Sequence, residues 1–294
     1  MTKEEQLRWE RDNSRWAGGA AFLSAVLTIA AGLYFRSKIT GTANDEVEGM
    51  KLIHDNKSDV LISSILSAAG TAFLTPALYY LFVATRFRRE QLPRALRYLV
   101  LIAPLLGAVS SIVHQLQLNH ISDQIPFPLS ESNNHLVKDK LGAGSVVAVG
   151  GIGTAAALGI AFMFIVVSLN AMRAGLLSRF MGVLGIIVGV LLVIPLQGNL
   201  PVVQVFWVAA LGALFLDRWP QGRGPAWAAG EAIPWPTAQD RRDAIAGVER
   251  PTRAKPAAAE PEPEPAQPTR AAARPQPVAP SHPRSKKKKR KRRG

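Results

Sequence analysis

The stretch Trp16–Phe35, "WAGGAAFLSAVLTIAAGLYF", contains no charged residue. About 20 residues at a rise of 1.5 Å each cover a hydrocarbon core of roughly 30 Å, the length of one membrane crossing. Basic residues precede it, as they precede a secretory signal. The apolar segment of a cleaved signal is shorter, about 7 to 15 residues, so the run predicts a retained membrane helix.

Five further apolar runs follow, at 59–85, 96–116, 145–170, 177–197 and 201–216. None has a charge in its middle, where each Asp, Lys or Arg costs about 2.5 to 3.5 kcal/mol on insertion scales. The fold class expected is all-α: a polytopic membrane protein with six transmembrane helices spanning 16–217, a cytoplasmic N-terminus at 1–15, and a disordered tail at 218–294. The sixth span opens at Pro201, a residue suited to a first helical turn. Gly198, Asn199 and Leu200 predict a tight hairpin between the last two spans.

Small residues recur every four positions: Ala20, Ser24, Thr28 and Gly32 in the first span, Ser63, Ser67, Thr71 and Thr75 in the second, Gly151, Ala155 and Gly159 in the fourth, Gly185 and Gly189 in the fifth. In lipid, such stripes allow close helix contacts. Pro76 and Pro104 are expected to bend their helices.

Lys and Arg in the connections set the orientation. Eleven flank one side (Lys3, Arg8, Arg11, Arg15, Arg86, Arg88, Arg89, Arg94, Arg97, Arg173 and Arg179) against six on the other (Arg36, Lys38, Lys51, Lys57, Lys138 and Lys140). Both chain ends are therefore expected in the cytoplasm, with Trp16 and Trp219 at the interface. Residues 1–217 hold 17 basic and 14 acidic side chains, whereas 218–294 hold 18 and 7, with 14 of the 21 prolines. The later segment cannot bury enough apolar surface to offset its ordering entropy.

The chain ends in "SHPRSKKKKRKRRG", where Lys286, Lys287, Lys288, Lys289, Arg290, Lys291, Arg292 and Arg293 form an unbroken basic run. Each such residue near an anionic leaflet is worth about 1 kcal/mol. The expected partners are anionic lipid headgroups, with nonspecific nucleic acid or an acidic protein as alternatives. A scaffold tethering RNA or ribosomes is one such reading. The run has no aromatic residue for base stacking, which argues against specific recognition.

Cysteine is absent, which excludes disulfides, thiolate nucleophiles and Cys-based zinc sites. "GIGTAA" (151–156) fits a dinucleotide fingerprint, but it lies inside an apolar span without the required acidic partner, so helix packing explains it better. No P-loop, HExxH or GxSxG is present. The expectation is a protein without catalytic, metal or cofactor-binding residues.

Polar residues gather at the outer ends of the second, third, fifth and sixth spans. His54, Asp55, Asp59 and Ser63 enter the second; His114 and Gln115 leave the third; Gln197 and Gln204 flank the final hairpin. Ionisable groups at membrane depth point to a cavity or ligand site, which makes a small transporter or sensor the alternative to a non-enzymatic membrane protein. The same residues also suit helix ends that touch headgroups and water, with Asp59 as N-cap chemistry. The polar loop Leu118–Gly144 is expected to cap the outer helix ends.

The stretches "HDNKSDVLISSILSAAGTAFLTPALYYLFVATRFRR" (54–89) and "AMRAGLLSRFMGVLGIIVGVLLVIP" (171–195) resemble the DUF4386 group of bacterial, often actinobacterial, membrane proteins. There a similar "GLLPRWLGVLGI" element opens a late transmembrane helix; Ser178 stands here where proline is common. The resemblance covers most of 15–217, implies a multi-pass bacterial plasma-membrane protein, and implies no activity or catalytic residue.

Overall fold

The structure, a computed structural model, describes residues 2–41, 43–128, 134–194, 201–220, 222–236 and 242. These residues are helical, without strands among them. In order they form α1 (Lys3–Lys38), α2 (Glu46–Asp55), α3 (Lys57–Arg88), α4 (Leu96–Asp123), α5 (His135–Leu141), α6 (Gly144–Arg173), α7 (Arg179–Val193), α8 (Val202–Phe215) and α9 (Pro225–Ala229). Helices α1, α3, α4 and α6 are long and apolar enough to cross a membrane, while α7 and α8 are shorter apolar helices.

Helix α1 starts well before its apolar run because Thr2 and Glu5 close a capping box. The Glu5 N–H donates to Thr2 Oγ1 (3.3 Å), and the Thr2 N–H donates to Glu5 Oε2 (2.8 Å). Glu4 and Glu5 in its first turn and Arg36 and Lys38 in its last complement the helix dipole. The expected separate segment 1–15 is thus the first third of one 36-residue helix. Likewise α4 runs past the expected end at Leu116 to Asp123, and α7 is described only over Arg179–Val193, inside the expected 177–197. Residues 198–200 of the expected hairpin lie outside the described residues.

Six helices form a closed antiparallel ring in the order α1, α3, α4, α6, α7, α8 and back to α1. Glycine contacts give the register. Positions 107 and 153 of α4 and α6 lie against Ala156 and Ser110, Gly182 and Gly185 of α7 against Met172 and Ser168 of α6, and Gly212 of α8 against Phe22 and Gly18 of α1. Glu10 at the start of α1 meets Arg88 at the end of α3, and Asn119 near the end of α4 reaches Lys57 at the start of α3. The start of α1 and the end of α8 therefore share one end of the bundle, called here the terminal end. Helices α2 and α5 lie at the other, distal end.

The core of the terminal half is large and apolar, with Leu78, Leu81, Phe164, Trp207 and Phe215 fully buried. The outward faces carry Val26, Ile29 and Leu33 on α1, Ile102, Leu105 and Val109 on α4, Phe180, Val183 and Ile187 on α7, and Val202 and Phe206 on α8, all exposed.

The small-residue stripes hold in part. Ser24 Oγ donates to Gly70 O (2.7 Å) and Ser63 Oγ to Ala31 O (3.1 Å), joining α1 to α3. Gly185 and Gly189 face α6. The α6 stripe is corrected, since Gly151 faces open space and Ala155 is exposed; only Gly159 packs, against Ala103 and Leu99. Helix α6 meets α4 through residues 153, 156 and 160 together with Gly159, a face turned away from Gly151 and Ala155.

The boundary expected at Arg218 moves as well. After α8 the chain turns back, and α9 docks across the terminal end, where Trp227 is buried and its Nε1–H donates to Leu176 O (2.9 Å). Arg223 caps α8 by donating from Nε to Leu214 O (3.1 Å) and from Nη2 to Phe215 O. The first compact unit ends at Ala238. The tail beyond it, including Lys286 to Arg293, lies outside the described residues apart from Arg242.

Candidate functional site

The expected outer polar group does not converge. Asp59 accepts a hydrogen bond from Tyr34 Oη (2.6 Å) instead of capping α3, whose N-cap Asn56 makes no side-chain cap bond. Ser63 is spent on Ala31 O. His54 Nδ1 lies 2.8 Å from Ser122 O, and its ring packs on Phe127 at 5.2 Å. Gln115 donates to Asn119 Oδ1 (2.9 Å), and Asp55 is exposed. Gln197 lies outside the described residues. Only His114 and Gln204 meet at a common space.

That space is a cavity of about 630 Å³ in the distal half of the bundle, and all six ring helices contribute to its wall. Helix α1 supplies Thr28, α3 supplies Ser67 and Thr71, and α4 supplies Ser110, Ser111 and His114. Helix α6 adds Thr154 beside Gly150 and Gly153, while α8 adds Gln204. Leu74, Ile160 and Leu192 form apolar wall. The space opens to the surface beside the exposed Ser67, Thr154 and Ala157. A mainly apolar cleft of a few hundred Å³ with a few convergent polar groups is the usual form of a small-molecule site.

Glycine shapes one wall. A Cβ at Gly153 would lie 3.4 Å from Ser110 Oγ, and one at Gly150 would lie 4.0 Å from His114 Cε1. Thus Gly153 of the dinucleotide-like "GIGTAA" faces the cavity, whereas Gly151 does not.

His114 is the only ionisable side chain among the described residues that line this cavity. Its Nδ1 is buried and has no hydrogen-bond partner among them. With Gly150 it also lines a neighbouring cleft of about 450 Å³, walled by Met50 and Ile53 of α2, Leu118 of α4, and Val146 of α6, with Glu46 at its exposed rim. The imidazole therefore stands between the central cavity and this mainly apolar cleft beside α2. This also revises the expected cap: α2, α5 and the end of α4 cover the distal end through a second small core of Met50, Ile121, Ile125, Val137 and Val146.

Towards the terminal end the cavity is closed. Trp9, Tyr80 and Trp227 stack in sequence, with centroids 5.5 and 5.7 Å apart. Beside them Arg88 donates from Nη1 and Nη2 to Glu10 Oε1 and Oε2 (2.5 and 2.9 Å) and from Nε to Ala226 O (3.0 Å). Gln6 and Tyr80 Oη also donate to Glu10. Sequence reasoning counted Arg88 among the connection charges; with Glu4, Glu5, Glu10 and Asp12 all near the start of α1, the sequence did not single out Glu10 as its partner.

Among the described residues no group of His, Asp and Glu gathers as a metal site would require. No protein family, curated protein or solved structure matches this chain.

Proposed function

We propose that this chain is a six-span integral membrane protein, without enzymatic activity, whose central cavity binds a small solute as the site of a transporter or sensor. The carrying observation is the 630 Å³ cavity walled by all six helices and lined by hydroxyls, His114 and Gln204. Polar groups at that depth cost free energy without a solvent or ligand to engage. The outward apolar stripes on α7 and α8 match those on the four long helices, which supports six crossings rather than four.

The orientation we propose puts the terminal end in the cytoplasm of a bacterial cell. Removing buried Arg88 from the charge count leaves ten basic residues there against six at the distal end, so the bias persists. Kinship with the DUF4386 group rests on the two sequence stretches quoted above. The basic tail, in this reading, associates with anionic lipid or another polyanion and takes no part in solute binding.

A pair of substitutions tests the cavity. In the purified full chain, Gly153→Leu projects into the space beside Ser110, whereas Gly151→Leu, with nothing within 4 Å, projects away. Solutes found by thermal shift on the parent protein should lose binding with Gly153→Leu and keep it with Gly151→Leu. Equal binding by both would remove the cavity from the function. Solute uptake into proteoliposomes should likewise survive deletion of 237–294 and fail in His114→Ala.

A further inference from the structure

The hydrogen bonds of the cavity wall indicate which solute it takes, an inference that rests on the cavity being the functional site. A hydroxyl has one proton to donate and two acceptor lone pairs. In this wall the protons are already committed. Thr28 Oγ1 donates to Ser24 O (2.8 Å), Thr71 Oγ1 to Ser67 O (3.0 Å) and Thr154 Oγ1 to Gly150 O (3.0 Å). Ser110 and Ser111 donate to Gly107 O (3.1 Å) and Ala108 O (3.2 Å). Each acceptor is a backbone carbonyl, which cannot donate, so the hydroxyl proton must occupy every one of these bonds.

Five of the six wall hydroxyls thus have only oxygen lone pairs left to offer a solute. Donors are correspondingly few: the Ser67 hydroxyl, the Gln204 amide and one imidazole nitrogen. Among the described lining residues no Lys or Arg adds to them. An anion placed here would find lone pairs facing it, with no cation to offset the loss of its hydration. A solute carrying O–H or N–H groups would find an acceptor on four of the six helices, from Thr28, Thr71, Ser110, Ser111 and Thr154.

We propose that the cavity selects a compact neutral solute rich in hydrogen-bond donors, a polyol, and rejects charged solutes of the same size, carboxylates most strongly. His114 Nδ1, which has no partner among the described residues, serves as a further contact for one of those donors. Leu74, Ile160 and Leu192 take the carbon skeleton.

The test uses the full chain in detergent or nanodiscs with three probes: a four-carbon polyol, a four-carbon primary amine and a four-carbon carboxylate. The polyol should bind; the amine, an ammonium ion near neutral pH that meets no carboxylate among the described lining residues, should bind more weakly, and the carboxylate most weakly. The isosteric Thr154→Val and the small change Ser111→Ala each remove one acceptor and should weaken binding roughly three- to tenfold, the range of one neutral hydrogen bond. Equal or tighter binding of either charged probe would overturn the selectivity while leaving the cavity reading intact. Unchanged affinity in both variants, with loss in Gly153→Leu, would overturn it in the same way. If no probe binds, the inference fails; a different solute sensitive to Gly153→Leu would then keep the cavity reading alone.

Discussion

Glu10 and Arg88, 78 residues apart, form a two-pronged ion pair inside the terminal end of the bundle, with both side chains almost wholly removed from solvent. Breaking one partner of such a pair leaves a buried charge without compensation and costs about 3 to 5 kcal/mol. Arg88→Ala and Glu10→Ala should each lower the unfolding midpoint in detergent steeply. The joint change Glu10→Leu with Arg88→Met should recover most of that loss. Arg88→Lys should not, because an ammonium cannot span Glu10 and Ala226 O together. A double variant no more stable than the single ones would show that the pair contributes more than mutual neutralisation.

The glycines of α6 and α7 should separate by the atoms around them. A Cβ at Gly189 would meet Ala161 O at 2.7 Å and Ile165 N at 3.2 Å. Backbone atoms cannot rotate away, so the helices must part, at about 1 to 3 kcal/mol for such overpacking. At Gly151 nothing lies within 4 Å, and Ala in place of Gly gains up to about 1 kcal/mol of helix propensity. Gly189→Ala should destabilise and Gly151→Ala should not. Equal midpoints for the two would refute the register given for α6 and α7.

Gly175 has φ +77° and lies so close to Ile233 that a Cβ would collide with its carbonyl oxygen. The left-handed conformation alone costs an alanine about 1 to 2 kcal/mol. Gly175→Ala should therefore release the segment around Ile233. Protease cleavage between Arg218 and Pro236 reads this directly, and it should rise sharply in the variant. Unchanged protection would mean that the segment is not held there.

Truncation gives a fourth test. A chain ending at Pro236 keeps Arg223, Trp227 and Ile233 and should match the full protein in thermal stability. One ending at Gly222 loses the Trp227 stack, the Arg223 cap on α8 and the Ala226 carbonyl beneath Arg88. Its midpoint should drop by several degrees. Parallel behaviour of the two truncations would place no weight on α9.

The long helices were readable because uncharged runs of about 20 residues have few alternatives in a folded chain. Small residues at steps of four marked contact faces on α1 and α3, which Ser24 and Ser63 join without the spacing having named the partner, but the same pattern misled on α6. Gly and Ala are common enough there to fill more than one face, and spacing does not say which face a neighbour occupies. His114 and Gln204 were legible as polar residues near helix ends. Their hydroxyl neighbours Thr28, Ser67 and Thr71 read as packing residues, since a Ser or Thr that bonds its own helix looks the same whether it faces lipid, protein or a cavity. His54 and Asp59 were drawn into the wrong group because their partners Ser122 and Tyr34 come from distant parts of the chain. The docking of 222–236 left little trace, as it depends on one tryptophan and on carbonyls that any sequence carries.

The seam between α8 and α1 has a consequence for biogenesis. The first helix leaves the ribosome long before the one that completes its surroundings, so Gly18 and Phe22 lack their packing partners until Gly212 and Leu216 arrive. The ring of helices therefore keeps an open stave until α8 has been made, and any nascent chain halted earlier lacks the wall of the cavity that Gln204 completes.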